Sequence, residues 1–271
     1  MRRFRPAREL RRRLVAPTLV VATFLSTACG ATSGEVGANV VPSVSPAGAP
    51  IRYVAIGASE SVGYGAENPA TQAWPQVFYR SALPRASVFV DLGIPGATVA
   101  EARARELPEA VALSPQLVTV WLNANDLIHG VPLPRYQAEL TDLLTRLRQA
   151  GARWILVANT PPLARLPVYQ ACRPYAPDPQ GGCDTSVRLP RSEVDRAVAS
   201  YNQAISEAAA AADATVVDLD AALSAVPGDQ IPQLISSDGF HPNAAGYRLI
   251  AGVFATAFDR LVSAGGTDGA P

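Results

Sequence analysis

Lysine is absent from this 271-residue chain, histidine occurs twice and cysteine three times. No apolar run approaches the ~20 residues that span a bilayer. The missing lysine is read as compositional bias. Two histidines leave few choices for an imidazole base. They also leave the acids near the chain's end, Asp218 and Asp220, without a His or Cys beside them to build a metal site. Positive charge is scarce where it would count. The formal charge is zero, but residues 1 to 13 hold seven of the 23 basic residues and one of the 23 acids. Beyond residue 28 there are 16 Arg against 22 acids, a net charge of −6. A chain of that sign is a poor partner for nucleic acid or anionic lipid heads, because both need clustered cations. What is present is a core: 48% hydrophobic residues exclude a disordered or fibrous protein.

The ends of the chain read as appendages. A cationic stretch at residues 1 to 13, an apolar run at 14 to 25 and the small residues Ser26, Thr27 and Ala28 form a secretory signal pattern over residues 1–28. Twelve residues of helix rise only ~18 Å, too short for a transmembrane anchor. Cys29 resembles the lipidated cysteine of bacterial lipoproteins, with Leu25, Thr27 and Ala28 at matching positions and Ser26 where that pattern wants a large apolar residue. Plain cleavage after Ala28 is the alternative. Cys172 and Cys183 lie close together in one loop and can pair in an oxidising compartment, which leaves Cys29 as the odd thiol that a lipid would explain. That bridge would contribute ~3 kcal/mol in the chain-entropy view. Residues 29–50, rich in Gly, Ser, Ala, Val and Pro, read as a flexible tether, and 263–271 as a disordered tail. The folded unit is residues 51–262, and the protein is expected to be exported, extracellular or held at the cell envelope, and monomeric.

Within that unit, apolar runs at 51–57, 87–92, 117–122, 154–158 and 215–218 read as strands. Residues 74–83, a stretch from Thr98, 134–150, 192–212 and 243–261 read as helices. Strands that are near-continuously apolar and alternate with helices predict a three-layer α/β/α domain around a parallel five-stranded sheet, with ligands at the carboxyl ends of the strands. Residues 160–191 form a 32-residue insertion with seven prolines, Tyr169 and Tyr175, read as a loop that shapes the substrate site. Trp74, Trp121 and Trp154 are expected in the core.

Four segments leave these strands with polar residues: Gly57-Ala58-Ser59-Glu60-Ser61-Val62-Gly63, Gly93-Ile94-Pro95-Gly96-Ala97-Thr98, Asn123-Ala124-Asn125-Asp126 and Asp238-Gly239-Phe240-His241. Together and in this order they resemble the four blocks of the SGNH, or GDSL-type, serine esterases and lipases, over most of residues 51–262. The resemblance implies a flavodoxin-like SGNH hydrolase. Its serine nucleophile would be Ser59, its base His241 and its supporting acid Asp238. Its oxyanion donors would be the backbone N–H groups of Ser59 and Gly93 and the amide of Asn125. It implies hydrolysis of small-molecule or lipid esters through an acyl-serine, with no cofactor and no metal. The chemistry needs those types: a hydroxyl becomes a nucleophile when an imidazole removes its proton, and a carboxylate fixes the imidazole's tautomer. Two positions depart from the family pattern, Ala58 where Asp is usual and Asn123 where Gly is usual. Acyl transfer to another alcohol by the same residues, and a noncatalytic lipoprotein that binds an acylated ligand, are the competing readings.

Spacing alone does not choose the base, since both histidines follow an aspartate by three residues, Asp126 to His129 and Asp238 to His241. His241 precedes Pro242, which biases it to a loop, and Asn243 can cap the last helix. His129 reads as a surface histidine, Asp126 as a loop anchor, and Asp218 and Asp220 as caps.

Overall fold

The computed structural model describes residues 48–172 and 189–265. Cys29 and Cys183 lie outside the described residues, and with them the expected lipid attachment and the Cys172–Cys183 pairing. The signal segment and residues 266–271 fall outside as well, while residues 263–265, expected in a disordered tail, continue the last helix, which runs Ala244–Gly265.

Five strands form one sheet: β1 (Arg52–Gly57), β2 (Val88–Asp91), β3 (Leu117–Trp121), β4 (Trp154–Ala158) and β5 (Thr215–Val217). Every pairing is parallel and the order is β2-β1-β3-β4-β5. All five residues of β3 are buried and β1 is buried beyond Arg52, as strands covered on both faces must be. Helices follow in chain order: α1 (Pro69–Gln72), α2 (Trp74–Ala82), α3 (Val99–Ala112), α4 (Ala124–Ile128), α5 (Leu133–Gln149), α6 (Pro167–Cys172), α7 (Arg191–Ala211), α8 (Leu219–Ser224), α9 (Ile231–Leu234) and α10 (Ala244–Gly265).

Two apolar layers sandwich the sheet. On one side Leu140, Leu143, Leu144 and Leu147 of α5 pack with Tyr201 and Ile205 of α7, Leu107 of α3 and Val118 and Val120 of β3. On the other, Trp74 and Phe78 of α2 meet Tyr247, Phe254 and Phe258 of α10 and Tyr53 of β1. The helical spacing of leucines in α5 therefore marks its buried stripe. The α3 start is fixed locally: Thr98 accepts the Glu101 N–H and Glu101 accepts the Thr98 N–H, a capping box.

The chain turns from β2 to β3 across β1, so the sheet's switch point lies between β1 and β3. Gly57 and Trp121 are register partners at their carboxyl ends. The segments that follow them, carrying Ser59 and Asn125, therefore emerge side by side.

The insertion, expected as a loop, holds short helical elements. Residues Leu163–Arg165 form a 3-10 turn and α6 follows, with Leu163, Ala164 and Tyr169 buried against Val194 and Val198 of α7. Apolar residues dispersed among prolines gave no period to read, and the helix they pack on supplies the order. Trp74 is core as expected, and Trp154 is half-buried with Arg153 over its ring. Trp121 is buried but also walls a cavity.

Candidate active site

Ser59 sits in a tight turn after β1, with backbone bonds from Ser61 N–H to Ala58 O at 3.1 Å and from Tyr64 N–H to Ser59 O at 2.9 Å. The turn is supported from behind: Gly57 N–H donates to Glu106 of α3 at 2.9 Å. Burial pushes the Glu106 carboxyl up to about 8, against the pull of that hydrogen bond. Ala58, at the position that departs from the family pattern, is simply buried.

The loop before α10 reaches this turn from the far end of the chain. His241 Nε2 lies 2.9 Å from Ser59 Oγ, and His241 Nδ1 lies 2.7 Å from Asp238 Oδ2. Asp238 Oδ1 accepts three further bonds, from the Ser236 hydroxyl and the N–H groups of Phe240 and His241, at 2.8, 2.8 and 2.9 Å. Partial burial works against its charge, but the Phe240 N–H, the imidazole, the Ser236 hydroxyl and the His241 N–H outweigh it and hold the carboxylate down at about 2. Gly239 makes this wrap possible. Its φ is +75°, and a Cβ there would meet Val168 N at 2.9 Å. The imidazole is flanked by Tyr64, ring centroids 4.6 Å apart, and by the edge-on ring of Phe240 at 4.9 Å.

The expected oxyanion donors are partly engaged. Ser59 N–H donates to no backbone acceptor among the described residues. Asn125 Nδ2 donates to Ala97 O at 3.0 Å, which uses one of its two N–H groups. Gly93 N–H, by contrast, donates to Asp91 Oδ1 at 3.0 Å, so an oxyanion would have to share or displace that carboxylate. Gly93 itself has no room for a side chain, since a Cβ would lie 2.9 Å from Ser61 Cβ. Asn123, the other departure, is buried and donates its side-chain amide to Ala158 O, at the end of β4, at 3.3 Å.

The remaining residues fall where structural roles put them. Asp126 is buried and takes the Val99 N–H on both oxygens, at 3.2 and 3.1 Å, while His129 ends α4 exposed. Asp218 caps α8 by accepting the Ala221 N–H at 2.9 Å, and Asp220 receives the Asn202 amide at 3.3 Å.

Sequence reasoning missed Glu60. It is 9% exposed, and its Oε2 lies 3.3 Å from Ser59 Oγ. It lines an apolar cavity of about 50 Å³ walled by Trp121, Leu163, Phe240, Leu234 and Ile250, with Arg165 at its side. The available signal was an ionisable residue inside an otherwise small and apolar turn, next to the candidate nucleophile.

The GDSL-like lipase/acylhydrolase family model matches residues 55–249. No curated protein matched by sequence. Among solved structures, TesA is 19% identical with a TM-score of 0.58, covering 78% of this chain and 99% of its own. The psychrotrophic esterase EstA from Pseudoalteromonas sp. is 17% identical with a TM-score of 0.56, covering 79% and 99%. A catalytic mutant of the acetylxylan esterase Axe2 from Geobacillus stearothermophilus is 19% identical with a TM-score of 0.57, covering 78% and 95%. These likenesses establish the fold: the all-parallel five-stranded sheet is that of SGNH hydrolases.

Proposed function

This chain belongs to the GDSL-like lipase/acylhydrolase family and is a serine carboxylic ester hydrolase, and from that premise we propose how its residues divide the work. Ser59 is the nucleophile, His241 the general base and Asp238 the acid that orients it. The observation that carries this reading is the line of contacts from Ser59 Oγ through the imidazole to Asp238, at 2.9 and 2.7 Å. In the first half-reaction the Oγ proton passes to Nε2 as Oγ bonds to the acyl carbon. Imidazolium then returns the proton to the departing alcohol, and water repeats the sequence to free the acid. The low-lying Asp238 carboxylate keeps its charge throughout and steadies the imidazolium. Ser59 N–H, Asn125 Nδ2 and Gly93 N–H receive the oxyanion, the last after Asp91 gives up part of its bond. Losing one such donor typically costs ~3 to 4 kcal/mol in the barrier.

The apolar cavity lined by Glu60, the residue after Ser59, fits short acyl groups. Its volume, about 50 Å³, exceeds the ~10–15 Å³ that one water needs. It is well below the ~300 Å³ of a small-molecule pocket. The leader at residues 1–28 and Cys29 support export and attachment to the membrane through lipid at that cysteine.

A fluorophosphonate probe tests the assignment. We expect stoichiometric labelling of Ser59, none in Ser59→Ala, and hydrolysis of nitrophenyl acetate that exceeds that of the palmitate. A folded wild-type protein that is neither labelled nor active would overturn it. Mass analysis of the exported protein decides between a lipid-bearing Cys29 and cleavage without lipid.

A further inference from the structure

Ser59 Oγ has two neighbours able to take its proton. Nε2 of His241 lies 2.9 Å away and Oε2 of Glu60 3.3 Å away, so the hydroxyl bridges an imidazole and a carboxyl. A serine hydroxyl has one proton and donates once. Where that proton points therefore depends on what Glu60 carries.

We propose that Glu60 is a proton switch on the nucleophile: the neutral acid donates to Ser59 Oγ and directs the serine proton to His241, whereas the carboxylate competes with His241 for that proton. This rests on the assignment of Ser59 and His241 above.

The surroundings favour the neutral acid. Burial raises the pKa of Glu60; its own backbone N–H, the imidazole and the Ser59 hydroxyl oppose this, and the nearby Asp238 adds to it. The groups that face it are His241 and Asp238 from the loop before α10, Tyr247 from α10 and Arg165 from the turn after β4. Tyr247 is held neutral by burial, and its hydroxyl donates to Tyr64 O. Arg165 turns its guanidinium to the carbonyls of Leu223 and Val226. Neither gives Glu60 a counter-charge by hydrogen bonding.

Counting protons gives the consequence. With one proton on the pair, the productive arrangement is neutral Glu60 and neutral His241: Glu60 O–H points to Oγ, and the Oγ proton points to Nε2. During attack the Oγ proton moves to Nε2, Oγ bonds to the acyl carbon, and Glu60 keeps its own proton, which is neither consumed nor released. Shifting the proton instead from Glu60 along the hydroxyl to His241 gives carboxylate and imidazolium, in which the base is already filled. Removing the proton leaves a carboxylate that draws the hydroxyl away from Nε2. Activity should therefore fall on both sides of an optimum, in acid because His241 is protonated and in alkali because Glu60 is ionised.

The test is the pH profile of kcat/KM for nitrophenyl acetate, with the rate of fluorophosphonate labelling as a second readout. Wild type should rise and then fall. In Glu60→Gln the amide always has a proton to donate. Efficiency near the optimum should stay within about threefold of wild type and the alkaline fall should vanish. Glu60→Leu, which suits the apolar wall and guards against a Gln variant that fails to fold, should also lose the alkaline fall, with efficiency lower by about tenfold. A residue with only a structural role would change the melting temperature and leave the shape of the profile intact. An alkaline fall that persists in both variants, or is missing from wild type, overturns the proposal. A folded wild type with neither hydrolysis nor labelling is a separate result, and would overturn the assignment of Ser59 beneath it.

Discussion

Two segments of this chain carry the same spacing, Asp126 to His129 and Asp238 to His241, and the fold puts them to different uses. In the first, Asp126 lies within α4. Helical side chains lean toward the helix amino terminus, away from a residue three ahead, and its carboxylate is taken by the Val99 N–H that opens α3. His129 is left exposed at the helix end. In the second, Gly239 at φ +75° bends the chain so that the N–H groups of Phe240 and His241 fold onto Asp238 Oδ1, while Oδ2 holds the imidazole. One pair is a joint between two helices, and the other holds an imidazole against Ser59. The difference is backbone conformation: acid and base are the same types, but Leu127 and Ile128 continue a helix where Gly239 breaks the chain to positive φ.

The environments of the two acids have opposite signs. Burial lifts Asp126 to about 6, while hydrogen bonds hold Asp238 down at about 2 despite partial burial. An unperturbed aspartate titrates near ~3.9. The folded state thus binds a proton at Asp126 more tightly than the unfolded chain does. Its stabilising contribution is complete below ~3.9 and is lost as pH rises through about 6. For Asp238 the contribution is present above ~3.9 and is lost as pH falls through about 2.

The comparison breaks most visibly at the histidines. His241→Ala should lose about three orders of magnitude or more in kcat, and His129→Ala should remain within about twofold of wild type. The reverse result in paired steady-state assays would move the chemistry to α4. Next in size is Asp238→Asn, expected to cost about 10³- to 10⁴-fold in kcat with the fold intact by circular dichroism, because the imidazole loses the partner that fixes its tautomer. Asp126→Asn should leave kcat near wild type.

Gly239→Ala should be milder but still show in both stability and rate. A side chain at positive φ costs about 1–2 kcal/mol, and the Cβ collides with Val168 N. We expect a lower melting temperature and a drop of about tenfold in kcat/KM, whereas a variant indistinguishable from wild type would show that the turn does not depend on that conformation. The smallest effect belongs to Asp126. Denaturant titrations of Asp126→Asn should show its stability improving relative to wild type as pH rises from 4 to 7, because the wild-type acid is forced to ionise where it is buried. A difference that does not change with pH would mean the Asp126 carboxyl is not lifted by burial.

How much of this was legible varies with range. The strands could be read from apolar runs because a parallel sheet buried on both faces has no polar positions to interrupt it. Strand β4 fell at residues 154–158 as the sequence suggested. Thr98 announced its helix because a cap and its partner three residues on are local chemistry. The 3-10 turn and helix within 163–172 had no local signal, since their order comes from packing on α7.

At the site, the four strand-exit segments offered candidate residues for acyl chemistry by type and order alone. Three things needed the folded chain. The closure of His241 onto Ser59 spans 182 positions of sequence. Asp91 has claimed the Gly93 N–H, and Glu60 has turned into the pocket beside the nucleophile. Composition and spacing determine which groups a chain has to offer and which elements carry them, because helix and strand periods are local. Which acceptor each proton meets, and how much water remains around each carboxyl, is set by the direction of side chains brought together from distant segments. That direction is decided only when the layers pack.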